Sequence, residues 1–125
     1  MELDDYIGEI TATDNVARDF KFCDQIKASA GGPAPNIAEG FGRFTPREFA
    51  RYLRIAVASL HETQTHLDRG LNKKYFDPDV YFAASRLCGR ALDITRRLLA
   101  SKLRQIAEEE QKRKDRQRKK REKER

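Results

Sequence analysis

The chain has 125 residues, with 26 Lys/Arg against 20 Asp/Glu for a net charge of +6, two cysteines and a mean hydropathy of −0.83. A domain of this size can bury a core without disulfide or metal staples, and no apolar run approaches the roughly 18–20 residues needed to cross a bilayer. The acidic start Met1-Glu2-Leu3-Asp4-Asp5 lacks the basic-then-apolar order of a secretory leader, and Cys23 and Cys88 read as small buried apolar residues, so a cytoplasmic protein is expected.

The first helix is predicted over Leu3 to Thr13, where Leu3, Ile7 and Ile10 fall at helical spacing; Gly8 weakens it by about 1 kcal/mol relative to alanine. A second helix runs from Asp19, with Phe20, Cys23, Ile26 and Ala30 on one face. Gly31-Gly32-Pro33-Ala34-Pro35 interrupts or kinks it, because each proline removes an amide donor and crowds the preceding turn. Asn36 and Glu39 have the spacing of an N-cap and its N3 acid, which restarts the helix after the prolines.

The third helix has the clearest signals. Thr45-Pro46-Arg47-Glu48 is a capping box with proline at the first helical position. Phe49, Leu53, Ala56, Leu60, Thr63 and Leu67 then repeat at steps of four and three, a seam for packing at a shallow angle. Gly70 is expected to end this helix, with Leu71 placed for the hydrophobic contact of a Schellman cap. The fourth helix opens with Asp77-Pro78, again a cap followed by proline. Val80, Ala84, Leu87, Ala91, Ile94 and Leu98 keep its seam, and Leu99, Leu103 and Ile106 continue on a slightly rotated stripe. Strand signals and internal repeats are absent. The expected architecture is all-α, an up-and-down four-helix bundle over residues 1–107 with a shortened first helix and a charged tail over 108–125, helical or disordered.

The charge is concentrated at one end. Residues 112–125 hold ten Lys/Arg and three Asp/Glu, a net of +7, leaving 16 basic and 17 acidic residues, a net of −1, for the rest. Such a tail suits a polyanion; the alternative is a solvated, solubilising segment. It carries no aromatic residue to stack on bases, so its contacts would be to phosphates, with weak sequence selectivity. The tail candidates are Lys112, Arg113, Lys114, Arg116, Arg118, Lys119, Lys120 and Arg121. On the third helix Arg47, Arg51 and Arg54 follow at i, i+4 and i+7 and share a face. On the fourth, Arg86, Arg90, Arg97 and Arg104 make a looser stripe interrupted by Asp93.

Phe22-Cys23-Asp24-Gln25-Ile26, Asn36-Ile37-Ala38-Glu39-Gly40-Phe41-Gly42-Arg43, Glu48-Phe49 and Ser59-Leu60-His61-Glu62-Thr63 resemble the bacterial four-helix bundle protein family. That family includes proteins encoded in intervening sequences of large-subunit ribosomal RNA genes, and it is similar to the accessory proteins of diversity-generating retroelements. The resemblance covers residues 16–100. It implies an up-and-down bundle that assembles into a ring, commonly a homopentamer, with some relatives linked to RNA or to a reverse transcriptase. The first helix is shorter than the family's. Either the start lies downstream of the usual one or an oligomer partner covers the gap.

Asn36, Glu39, Gly40, Gly42, Arg43 and Glu62 match family positions. On the structural reading, Asn36, Glu39, Arg43 and Glu62 hydrogen-bond each other and the loop backbone, and Gly40 and Gly42 serve turn geometry. The competing reading makes Glu39 and Glu62 an acidic pair for a metal or for acid/base work. His61 and His66, five apart, fall on different faces, and neither cysteine has a metal-pair or redox spacing. No catalytic residue, metal or cofactor is expected. The expected function is a non-enzymatic, oligomeric bundle associating with nucleic acid; the alternative is a protein-interaction scaffold, with a reverse transcriptase as one partner by the resemblance. No membrane role is expected.

Overall fold

The computed structural model describes residues 2–125, which form an all-α protein with no strand among them. Six helical segments follow in order: α1 (Glu2–Thr11), α2 (Asp14–Ala17), α3 (Phe20–Gly31), α4 (Pro33–Phe41), α5 (Pro46–Asn72) and α6 (Pro78–Glu124). At 1.5 Å per residue α1 is about 15 Å long, α5 about 40 Å and α6 about 70 Å. α1 packs against α3 and α6, α5 packs against α3, α4 and α6, and α4 makes no packing contact with α6. α5 and α6 run antiparallel. Arg47, at the start of α5, meets Glu110 late in α6, while Gln64 donates to Ser85 Oγ at 3.0 Å and the Cys88 thiol to the Leu60 carbonyl at 3.2 Å.

The apolar spacing of α5 is what fills the centre. Phe49, Leu53, Ala56, Leu60, Thr63 and Leu67 are all buried, and Leu60 and Leu67 share one cluster with Leu3, Ile7, Val16, Phe22, Ile26, Ala84 and Cys88 from the other helices. Burying each large aliphatic side chain contributes about 1.5–3 kcal/mol. One polar clasp joins α3 to α5: the Thr63 hydroxyl lies 2.9 Å from both Ser29 Oγ and the Ser59 carbonyl.

Several local expectations change. α1 stops at Thr11, whose hydroxyl donates to the Ile7 carbonyl at 2.7 Å, and Thr13 instead precedes the single turn α2. At the breaker segment only Gly32 separates α3 from α4, and its backbone is itself helical (φ −71°, ψ −39°). Asn36 is therefore not an N-cap. α4 starts at Pro33, where a first-turn proline gives up a donor that would have no helical partner, and Asn36 sits inside the helix with its side chain donating to the Gly32 carbonyl at 2.8 Å.

Thr45 does cap α5, accepting from the Glu48 amide at 3.2 Å, and Asp19 caps α3 by accepting from the Phe22 amide at 3.0 Å. Gly70 does not end α5. The helix continues to Asn72, and the left-handed residue is Lys74 (φ 60°). The Lys74 amide reaches the Leu71 carbonyl at 3.0 Å and the Tyr75 amide reaches the Gly70 carbonyl at 2.9 Å, the paired bonds of a Schellman stop four residues later than expected. A Cβ on Gly70 would lie 2.4 Å from the Phe76 ring and 2.9 Å from that of Phe22. Close approach, not turn geometry, accounts for this glycine.

The α6 seam also differs. Ala84, Cys88 and Thr95 are buried, but Ile94 is 67% exposed and Leu103 is 39% exposed. α1 is too short to cover this side of α6, so an open apolar groove of about 420 Å³ remains between the start of α1, Ile37 of α4, and Leu87, Ala91 and Ile94 of α6.

Candidate nucleic-acid interface

The cationic end of α6 is the largest accumulation of charge. After Glu110 has met Arg47, α5 offers no further residues to pack against, so residues 111–124 continue as a lone helix about 21 Å long. Lys112, Arg113, Lys114, Arg116, Arg118, Lys119, Lys120 and Arg121 are all exposed. Only Arg118 has an acidic partner, Glu122 at 3.9 Å. The helix needs no new nucleation, because it grows from a packed one. Glu108, Glu109 and Glu110 also stand four residues before Lys112, Arg113 and Lys114, the favourable order for such pairs.

The α5 stripe lies along the outer side of the α5–α6 pair. Arg47, Arg51 and Arg54 are exposed, and Arg47 is ion-paired with Glu110, which leaves Arg51 and Arg54 as the cations without an acidic partner among the described residues. Seven residues beyond Arg54, His61 accepts from Arg96 at 2.7 Å through Nε2, which holds its proton on Nδ1. Arg96 is thus the α6 arginine that faces this side. It was absent from the expected stripe because the antiparallel register of α5 on α6, not spacing within α6, places it there.

Arg86, Arg90 and Arg97 do not extend this surface. Arg90 borders the apolar groove on the α1 side of α6, and Arg97 is held by Asp93 at 3.1 Å. Turning 100° per residue, Arg86, Arg90 and Arg97 lie about 160–200° around α6 from Cys88, whose thiol meets Leu60 of α5, so the α6 stripe faces away from α5.

The polar residues matched to family positions separate into two groups. At the α4–α5 turn, Arg43 donates to Glu39 at 2.6 Å and to the Tyr52 hydroxyl at 2.8 Å, with its guanidinium 5.2 Å from the Tyr52 ring centre. Tyr52 first, and then Glu39, hold the Arg43 guanidinium above its ordinary pKa. Glu62 is not part of this group; its carboxylate stands 3.6 Å from His66 Nε2, too long for a hydrogen bond, and both nitrogens of that buried ring are unpartnered. Glu39 and Glu62 thus stand in separate places, Glu39 bonded to Arg43 and Glu62 beside the unpartnered His66, and among the described residues no three His, Cys, Asp or Glu side chains are grouped to hold a metal. Gly40 and Gly42 both have negative φ. Gly40 lets α4 approach α5, since a Cβ there would meet Phe49 at 3.0 Å and Tyr52 at 3.3 Å, whereas Gly42 closes α4 with its amide on the Glu39 carbonyl.

Both thiols are buried. Burial pushes the Cys88 thiol up to about 11 and raises that of Cys23 as well, so neither is set up as a nucleophile. No helix among the described residues is long and apolar enough to cross a membrane. A family model described as 23S rRNA-intervening sequence protein matches residues 1–97, ending ahead of the cationic end of α6. No curated protein and no solved structure matches the chain.

Proposed function

The chain belongs to the 23S rRNA-intervening sequence protein family, and on that footing we propose a non-catalytic helical protein of the cytoplasm that associates with RNA or another nucleic acid. The observation that carries this reading is the free end of α6, where ten Lys/Arg project from a body of net charge −1. Arg47, Arg51, Arg54 and Arg96 add a second, weaker phosphate-binding strip. We read α1, the bent pair α3–α4, α5 and α6 as an up-and-down four-helix bundle. Assembly into a ring, a homopentamer by the family resemblance, repeats both surfaces around an axis and makes weak contacts multivalent.

Truncation after Gln111 tests this directly. With log K falling by about 0.7–0.9 per neutralised phosphate per decade of salt, each phosphate contact is worth about 4–5-fold near 0.15 M. The truncated protein is expected to lose affinity for a mixed RNA pool by more than 100-fold and to show a shallower salt slope. Unchanged affinity and slope would remove the tail from the function.

The apolar groove beside α1 supports a second reading, a scaffold that receives a helix of a protein partner such as a reverse transcriptase. That reading requires a protein to stay bound after nuclease treatment, with Ile94→Glu releasing it.

A further inference from the structure

The cations on the free end of α6 are not spread evenly around the helix. Because the segment is helical through Glu124, each residue has a defined direction, turning about 100° from the one before. Taking Lys112 as the origin, Lys112, Arg113, Arg116, Lys119, Lys120 and Lys123 fall within one arc of about 120°. Lys114, Arg118 and Arg121 fall within a second arc of about 60°. The arc centres are about 170° apart, on opposite sides of the helix.

The four non-basic residues of this segment mark the boundaries. Asp115 and Glu122, seven apart, lie in one seam between the arcs; Gln117 and Glu124, also seven apart, lie in the other. Both pairs of non-basic residues fall between the arcs, with Glu122 of one seam touching Arg118 at the edge of the second arc. A helix binding along a single phosphate strand needs only one cationic side, and cations on the far side add little. Two opposed sides suit two strands at once.

From this placement we infer that the end of α6 lies between two phosphate backbones, with one cationic arc on each. The inference rests on the nucleic-acid reading above and names its ligand class: a nucleic acid with two backbones a helix-width apart. An α-helix with its side chains is about 10–12 Å across. The major groove of B-form DNA is about 12 Å wide, whereas regular A-form RNA has a narrow one; in RNA the site would be a groove opened at an internal loop. The lack of aromatic residues in the segment fits the same geometry, since it has nothing to stack on the bases of a single strand.

Two variants of equal charge test it in the full chain. One replaces Lys114, Arg118 and Arg121 by Gln, which empties the second arc; the other replaces Lys112, Arg116 and Lys120 by Gln, which thins the first arc and leaves both sides charged. Glutamine preserves helix propensity, and circular dichroism checks it. The ligands are a DNA duplex of about 20 base pairs, an RNA hairpin with an internal loop, and a single strand of each, at fixed salt.

The variant with an empty arc is expected to lose at least 10-fold more affinity for a two-backbone ligand than its equal-charge counterpart, with no such gap on single strands. The duplex and hairpin arms report which nucleic acid supplies the backbones. Equal losses, or the same gap on single strands, would overturn the two-sided geometry while leaving nucleic-acid binding intact. If truncation after Gln111 left all four ligands bound as before, the binding reading itself would fail.

Discussion

Replacing Gly70 and Gly89 by alanine, one at a time, separates what a helix wants locally from what its neighbours allow. Both glycines sit inside helices, and both substitutions gain about 1 kcal/mol of helix propensity. Around Gly89 a new Cβ meets nothing within 4 Å, whereas at Gly70 it would lie 2.4 and 2.6 Å from Phe76 ring atoms and 2.9 Å from Phe22. Overpacking of this kind costs about 1–3 kcal/mol, and the contact with two rings places it in the upper part of that range. Gly89→Ala should therefore stabilise by about 0.5–1 kcal/mol, and Gly70→Ala should destabilise by about 1–2 kcal/mol after its propensity gain. In urea, with an m-value near 2 kcal/mol/M, the two midpoints should differ by about 1 M. A rise in midpoint for both variants would refute the packing argument.

A glycine held at a left-handed stop would also lose stability on becoming alanine, so the sign at Gly70 alone does not identify the cause. Phe76→Leu does, because it withdraws the ring atoms nearest the new methyl group. If packing is the cause, the cost of Gly70→Ala falls by about 1 kcal/mol or more in that background, a coupling a double-mutant cycle reads directly. An additive result would assign the cost to the backbone and return the helix stop to Gly70.

Acid stability should depend on Asp19, whose carboxyl is held below its usual range by the Tyr75 hydroxyl first and then by the Phe22 amide, against a smaller opposing effect of burial. A depressed native pKa gives stability that is present above the unfolded value of about 3.9 and lost as pH falls through the native one. Asp19→Asn should flatten the fall in urea midpoint over that window, and parallel curves for the two proteins would contradict the linkage. Cys23 and Cys88 should resist iodoacetamide at pH 8 in the folded protein and react in urea, because burial holds both thiols protonated; rapid labelling of Cys88 without denaturant would show that α5 and α6 do not close over it.

What could be read from the sequence depended on how local its physical cause was. The cap at Thr45 is chemistry within four residues and is in place, whereas Asp77, expected to cap α6, makes no side-chain cap bond. The α5 seam follows from the helical period and is buried along its whole length. Gly70 and Asn36 were misread for one reason: each has a plausible local role, and a tertiary or neighbouring feature takes precedence. Gly70 answers to Phe22 and Phe76, which are 48 and 6 residues away in sequence. Asn36 lost its capping role because Pro33 could open α4 three residues earlier. The exposure of Ile94 lay beyond the periodicity of α6, since it depends on how far α1 reaches. Arg96 and Glu62 belong to the same class, with partners set by packing register and side-chain direction.

The long α6 ties these observations together. From Pro78 to about Glu110 it is a packed member of the body, fixed in rotation by Cys88 on Leu60, Ser85 on Gln64 and Glu110 on Arg47. From there to Glu124 it is a free helix with no break in between. A flexible linker would decouple the cationic end from the body, and the two arcs would then have no fixed direction. A continuous helix instead carries the rotational setting of the core outward. The position of Lys114 or Arg121 around the helix is thereby set by core residues such as Cys88, 26 and 33 positions earlier. Arg51 and Arg54, without an acidic partner among the described residues, share the outer α5 stripe with Arg47, which Glu110 pairs, so the projecting helix and the body strip keep one relative orientation. Physical continuity of this kind lets a body of nearly zero charge direct a cationic arm, and it makes the register of the core part of the interface.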